Sequence, residues 1–215
     1  MLTTSILNAF LVLVLLLNLF ALGTSRIRSL IQIAALQGVL LGVMPLLLHG
    51  RLYLVGALIA ACTVLIKGIL IPRILTNALR DARIKREVEP LIGLLPSMLF
   101  GAAGTVASMV VAAQLPIVSG ESDTLLIPVS FATLFTGFLL LTTRRKTLTL
   151  ATGYLLLENG IFIFGLLLLQ AMPFLVETGV LLDLFVGIFV IGIILQHINL
   201  TLDSLDTRHL SSLKD

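Results

Sequence analysis

Long apolar runs separated by short polar segments extend through nearly the whole chain. There are seven of them, each about 20 residues long. A helix of that length crosses the roughly 30 Å hydrocarbon core of a bilayer, whereas no water-soluble fold buries so much apolar surface. The pattern therefore predicts an all-α, polytopic integral membrane bundle of about seven transmembrane helices. The predicted spans cover residues 5–23, 29–48, 53–75, 91–113, 125–141, 148–169 and 174–198.

The composition agrees with a membrane protein and excludes several other classes. Of the 215 residues, 58% are hydrophobic and 12% are charged, against about 25% charged residues in a soluble domain. The net charge of +3 is spread over separate loops, so it does not indicate nucleic-acid binding. Cys62 is the one cysteine, which excludes an internal disulfide or a cysteine-built metal cluster, and its apolar neighbours predict a small buried side chain.

Basic residues alternate between the loops in a way that sets an orientation. They follow the first, third and fifth spans and recur in the C-terminal tail. Because cytoplasmic loops carry the excess of Lys and Arg, the N-terminus is expected outside and the C-terminus in the cytoplasm. The basic residues on this side are Arg26, Arg28, Arg73, Arg80, Arg83, Lys85, Arg86, Arg144, Arg145, Lys146, Arg208 and Lys214.

The same pattern divides the chain into an N-terminal membrane half (residues 1–90), a C-terminal membrane half (91–199) and a cytoplasmic tail (200–215). Residues 76–90 form the longest cytoplasmic loop and predict a short surface helix that binds lipid headgroups or a partner subunit. Proline and glycines in the fourth span favour close helix packing.

Ionisable side chains within the apolar runs are the candidate functional residues. Glu158 lies near the middle of its span, where a charge costs about 2.5 to 3.5 kcal/mol on insertion scales. Tyr154 precedes it by one turn and could donate a hydrogen bond to the carboxylate. Lys67 and Asp183 lie in two other spans, and Gln37 lies at the centre of the second span.

Two kinds of role remain open for these residues. Removal from water favours the neutral form of a carboxylate or an ammonium group, so groups at staggered depths could pass protons across the bilayer. Alternatively, Lys67 and a carboxylate form a fixed ion pair that pins helices together, or Lys67 snorkels to the interface. The spacing of His, Cys and carboxylates matches no metal site, and neither a phosphate-binding loop nor a nucleophile elbow is found.

Spans two and three resemble spans six and seven, which suggests an internal tandem repeat. Each pair begins with a basic loop and continues with a polar residue beside a glycine, LQG at 36–38 and LENG at 157–160. The next span then carries one ionisable residue, Lys67 or Asp183. Both copies would have the same orientation, as in the parallel repeats of some transport proteins.

These residues also carry a family resemblance. The second half resembles the component E membrane subunit of hydrogenase-4 type complexes, most specifically in YLLLENG at 154–160 and LLDLFVG at 181–187. The resemblance extends over the whole chain in length, span count and loop pattern. More distantly, each half is similar to the small three-helix membrane subunit of respiratory complex I, which carries one glutamate in each of two adjacent spans.

The resemblance implies a membrane-arm subunit of a hydrogenase-4 or formate hydrogenlyase complex in the cytoplasmic (inner) membrane of a prokaryote. The complex I glutamates, which are linked to proton pumping, match Glu158 and Asp183, whereas Gln37 and Lys67 occupy the matching positions of the first half. Nickel–iron and iron–sulfur centres would belong to partner subunits, and this chain would have no cofactor and no active site of its own. Its partners would be lipids and the membrane and peripheral subunits of a hetero-oligomer. A structural spacer and a cation antiporter component are the alternatives.

Overall fold

The computed structural model describes residues 2–49, 54–81, 91–115 and 125–167, together with positions 185 and 192. The described segments are almost entirely helical, as predicted. Span seven, Asp183 and the C-terminal tail lie outside the described residues, apart from those two positions. The helices are α1 (Leu2–Gly23), α2 (Ile27–His49), α3 (Leu54–Leu65), a π-helical segment (Ile66–Leu70), α4 (Ile71–Asp81), α5 (Leu94–Gln114), α6 (Leu126–Thr143) and α7 (Thr147–Leu166).

Six helical stretches among the described residues are long and apolar enough to cross a membrane. Five of them match predicted spans to within three residues at each end, because the apolar runs set the helix lengths. The sixth candidate span, Ala60–Arg80, differs from the predicted 53–75. The helix continues through Pro72 as far as Asp81, so residues 76–81 extend the third helix, and the rest of the predicted surface helix, residues 82–90, lies outside the described residues.

Helices α1, α2, α6 and α7 form the centre of the bundle, and apolar clusters at both ends join them. Helix α5 packs outside, against α1 and α6, while the helix from α3 to α4 packs along α2. A third apolar cluster fastens α4 to the first turns of α2 and α7, through Ile27, Leu75 and Leu148 among others. Helices from both halves of the sequence therefore share one core.

Glycines bring α6 and α7 into close contact. A Cβ atom at Gly137 would lie 2.6 Å from the backbone nitrogen of Leu157, and one at Gly160 would lie 2.6 Å from that of Leu134. Two helices approach this closely only where neither has a side chain in the way. The contact fixes the position of α7, which carries Glu158.

The surface of the described bundle is strongly apolar, as a lipid-facing surface requires. Leu95 and Leu99 on α5 are each more than 60% exposed. Cys62 is also exposed, so the prediction that it is buried is wrong. An apolar sequence does not separate a protein-facing from a lipid-facing position, because both favour the same residues.

Candidate functional site

Lys67 lies where the third span changes its helical register. In the π-helical segment the amide of Ile71 donates to the carbonyl of Ile66, five residues earlier. Pro72 follows directly and has no N–H, so a carbonyl in the preceding turn loses its α-helical donor. Proline and π-turns are established causes of such irregularities, and π-turns within α-helices are frequent at functional sites.

The side chain of Lys67 points into the bundle. It is only 6% exposed, and Gly38 on α2 makes room for it, since a Cβ at Gly38 would lie 2.7 Å from the Cβ of Lys67. The alternative that Lys67 snorkels to the interface is therefore wrong for this conformation, because a snorkelling side chain keeps its ammonium in water.

Glu158 faces Lys67 from α7. Its side chain is 2% exposed, and Oε2 lies 3.8 Å from Lys67 Nζ. At this distance the two groups form an ion pair, but they are too far apart for an ordinary hydrogen bond. The ammonium also lies 5.9 Å from the ring centre of Phe162, one turn further along α7, within the range of a cation–π contact. A buried pair of opposite charges thus connects the π-helical segment to α7.

Two hydroxyl side chains lie one turn from the charged pair. Thr63 precedes Lys67 and is almost fully buried, while Tyr154 precedes Glu158 and is partly buried. A hydrogen bond from the Tyr154 phenol to Glu158 stays a prediction.

Next to the charged pair, a chain of buried polar side chains crosses the bundle. Asn159 Nδ2 donates to Gln37 Oε1 at 3.3 Å, and Gln37 Nε2 donates to Asn18 Oδ1 at 2.8 Å. Asn18 Nδ2 then donates to Thr133 Oγ1 at 2.9 Å, and this hydroxyl donates to the carbonyl of Val129 at 2.7 Å. The four side chains come from α7, α2, α1 and α6, and each is at most 2% exposed.

Among the candidate relay residues, the structure places Lys67 3.8 Å from Glu158 and joins Gln37 to Asn159, the neighbour of Glu158. The prediction for Asp183 lies outside the described residues. Sequence reasoning assigned no role to Asn18 or Thr133. An asparagine within the apolar run LLLNLF was a usable signal, whereas a threonine in a helix usually satisfies its own hydroxyl on the preceding turn and gives none.

A small cavity of about 10 Å³ lies beside the charged pair, with both Lys67 and Asn159 in its wall. Ile31, Ala34, Ile71 and Leu155 form much of the rest. It is close to the smallest size that holds a single water molecule. Apolar atoms form almost all of its wall.

Arg144 is a second buried cation, in the connector between α6 and α7. It is 3% exposed, and its Nη2 lies 3.0 Å from the carbonyl of Leu22 and 3.4 Å from Ser97 Oγ. The first contact caps the C-terminal end of α1, where carbonyls lack helical donors. Burial lowers the pKa of the Arg144 guanidinium, which remains charged because an arginine pKa starts far above 7. Sequence reasoning treated this residue only as an orientation signal.

Comparisons with known proteins add one relative. The chain is 28% identical over 197 residues to uncharacterized protein Rv0085 of Mycobacterium tuberculosis, and the alignment covers 88% of this chain and 87% of that protein. No protein-family profile and no solved structure matches the chain. The likeness extends over most of both sequences, and the name of the relative states no activity.

Proposed function

We propose that this chain is a non-catalytic membrane subunit of a complex I-like hydrogenase of the hydrogenase-4 or formate hydrogenlyase type. In this role the pair of Lys67 and Glu158 contributes to the translocation of protons, or of sodium ions, coupled to electron transfer. Nickel–iron and iron–sulfur centres lie on partner subunits of the hetero-oligomer. The family part of the proposal is based on the resemblance of the segments at 154–160 and 181–187.

The observation that carries the functional part is the buried Lys67–Glu158 pair. Both side chains are at least nine-tenths buried, and their charged atoms lie 3.8 Å apart. Burial of two charges costs several kcal/mol each, and apolar side chains of similar volume often stabilise a protein as well or better. A chain that keeps such a pair inside the membrane gains little stability from it, which favours a role in moving charge.

We also propose the finer topology: seven spans, the N-terminus outside, the C-terminus in the cytoplasm, a tandem repeat and a location in the prokaryotic inner membrane. One structural feature supports the orientation. Ile27, Ala78 and Leu148 pack in one cluster, which places the neighbouring Arg28, Arg80, Arg145 and Lys146 at the same end of the bundle. This is the end that the positive-inside rule assigns to the cytoplasm.

The length of the third span supports the same arrangement. From Leu54 to the exposed Arg73 a helix rises about 30 Å, the thickness of the hydrocarbon core. The remaining two turns of α4 then reach the headgroup layer with Arg80 at their end. Lys67 lies about 9 Å along the helix from Arg73, inside the hydrocarbon region but nearer to the basic side.

A structural spacer is the second candidate. The close contact between α6 and α7 at Gly137 and Gly160 favours it, because such packing suits a rigid assembly element. On that hypothesis the ion pair of Lys67 and Glu158 only holds two helices together.

Replacement of Glu158 by Gln in the assembled complex separates the two functions. The variant removes the titratable group with almost no change in volume, and Glu158→Asp is its control because it keeps the carboxylate. We expect Glu158→Gln to retain assembly and electron transfer in membrane vesicles but to lose most of the ion gradient that electron transfer generates. Full ion translocation by the assembled Glu158→Gln complex would contradict the proposed coupling role and favour the spacer.

A further inference from the structure

Arg144 is a buried cation that uses only part of its hydrogen-bonding capacity. Its guanidinium carries five N–H groups, three of them on Nε and Nη1. Nη2 lies 3.0 Å from the carbonyl of Leu22 and 3.4 Å from Ser97 Oγ, and the second contact is longer than an ordinary hydrogen bond. Nε and Nη1 are buried and have no hydrogen-bond partner among the described residues. A buried charged donor without an acceptor is unfavourable, so this position favours an anion.

The guanidinium lies at the first turn of α5, because its 3.4 Å neighbour Ser97 belongs to that turn. The amides at the start of a helix have no partner within the helix and form the positive end of its dipole. Gly93 at the N-cap provides no side-chain hydrogen bond, and the first turn contains no acidic residue. Two positive groups thus meet here, an arrangement that an anion beside both of them stabilises.

The first turn of α5 is accessible at the basic end of the bundle. The amide of Leu91, just before α5, donates to the carbonyl of Thr143 at 2.8 Å, next to Arg144. Arg145 follows, at the end that the positive-inside rule assigns to the cytoplasm. Gly93 is exposed, and because glycine has no side chain, the exposed atoms belong to its backbone. A phosphate group in the headgroup layer can therefore approach the amides of this turn.

An apolar groove of about 460 Å³ follows on the same helix, between α5 and α6. Gly104, Ala107 and Val111 line it on α5, and Phe135 lines it on α6. Ser97 and Gly104 are two turns apart on one face of α5, which is about 10 Å along the helix axis. Since the headgroup layer is only about 5 to 8 Å thick on each side of the bilayer, the groove lies at the depth of the acyl chains.

We propose that a phospholipid binds along α5, with its phosphate at the first turn beside Arg144 and one acyl chain in the groove between α5 and α6. The phosphate oxygens accept hydrogen bonds from the guanidinium and from the amides of the turn. One oxygen replaces Ser97 as an acceptor of Nη2, and the long side chain of Arg144 allows the guanidinium to turn towards it.

The positions of the two parts favour a lipid over a free phosphate ion. The phosphate position and the groove follow each other along α5 as the headgroup and the acyl chain do in one lipid molecule. Leu95 and Leu99, between them, are each more than 60% exposed and offer the rest of the lipid an apolar surface. The inference depends on the placement of the bundle in the membrane and not on the proposed role of Lys67 and Glu158.

Native mass spectrometry of the full-length chain in detergent tests the phosphate position. The protein is freed of lipid and titrated with phosphatidylglycerol, and the lipids bound to each chain are counted. We expect one phosphatidylglycerol that binds more tightly than all others. Arg144→Gln should weaken its binding by about tenfold or more, because charged hydrogen bonds to the phosphate are lost. Arg145→Gln removes the same charge from an exposed neighbour and should change the binding little, whereas Arg144→Lys should keep part of it, since lysine also binds phosphate.

A second pair of variants tests the groove and leaves Arg144 unchanged. Ala107→Phe fills the groove, whereas Ala102→Phe adds the same side chain at an exposed position of α5 that does not line it. We expect Ala107→Phe to lose the tightly bound lipid and Ala102→Phe to keep it. This pair decides the question if Arg144→Gln does not fold.

Several results would overturn the proposal. A wild-type chain without a tightly bound phospholipid would show that no such site exists. Equal binding by folded Arg144→Gln and Arg145→Gln would show that the phosphate does not contact Arg144. Inorganic phosphate that binds as tightly as phosphatidylglycerol, to the wild type and to Ala107→Phe alike, would show a site for a free anion and not for a lipid.

Discussion

Stability measurements on variants of the Lys67–Glu158 pair test whether the two charges interact as the structure shows. The variants are Glu158→Leu, Lys67→Met and the combination of both. Each single variant leaves one buried charge without its partner, whereas the double variant replaces both charges by apolar side chains of similar size. The three variants and the wild-type chain form a double-mutant cycle.

The expected magnitudes follow from the geometry. At 3.8 Å and an effective dielectric constant near 20, the attraction between two unit charges is about 4 kcal/mol. Loss of one partner of a buried pair costs about 3 to 5 kcal/mol, because the other charge stays buried. The double variant should lie within about 1 kcal/mol of the wild type or be more stable, since apolar replacement of buried pairs is often neutral or stabilising. Two single losses of this size against a nearly neutral double variant give a coupling energy of at least about 5 kcal/mol.

The free energy of unfolding of the four proteins in lipid bicelles is the quantity to compare. A double variant as unstable as the sum of both single variants would show that Lys67 and Glu158 do not interact, and the site described above would be wrong. Single variants that each cost less than about 0.5 kcal/mol would show that neither charge is buried.

Three further changes test the surroundings of the site. Gly160→Ala should lower the free energy of unfolding by about 1 to 3 kcal/mol, because the new Cβ would meet the backbone of α6. Gly165→Ala on the same helix is the control, since its Cβ would meet nothing within 4 Å and the change should be neutral or slightly stabilising. Thermal unfolding in detergent compares the two variants. Arg144→Gln should lower the free energy of unfolding by about 1.5 to 3 kcal/mol, because the hydrogen bonds to α1 and α5 are lost. In the same assay Arg145→Gln, which changes an exposed residue, should alter it by no more than about 0.5 kcal/mol. Asn18→Leu breaks the amide chain at its centre and should cost about 1 to 3 kcal/mol, whereas equal stability to the wild type would show that the chain is not formed.

The sequence contained enough information for the class of fold and for the charged residues of the site. Apolar runs of membrane length predict helices whatever their neighbours, because the bilayer leaves backbone groups no other partner. Glu158, Lys67 and Gln37 stand out for the same reason, since polar groups are costly at that depth. Their positions in the spans indicated staggered depths, and the approach of Lys67 to Glu158 depends on how the helices pack.

Three features could not be predicted because they depend on packing between distant segments. The π-helical register around Lys67 lies directly before Pro72, and an apolar run does not show where a helix changes its register. The partnership of Asn18 with Thr133 joins residues 115 positions apart. The burial of Arg144 depends on the ends of α1 and α5, so its sequence position indicated only a loop.

The most direct measurement of the central claim is ion translocation by a complex that contains the Lys67→Met, Glu158→Leu double variant. This variant removes both charges, so neither is left buried without its counter-charge, and assembly and electron transfer should be preserved. In vesicles the account predicts electron transfer at close to the wild-type rate with a much smaller ion gradient. A gradient equal to that of the wild type, at the same rate of electron transfer, would show that the buried pair takes no part in coupling.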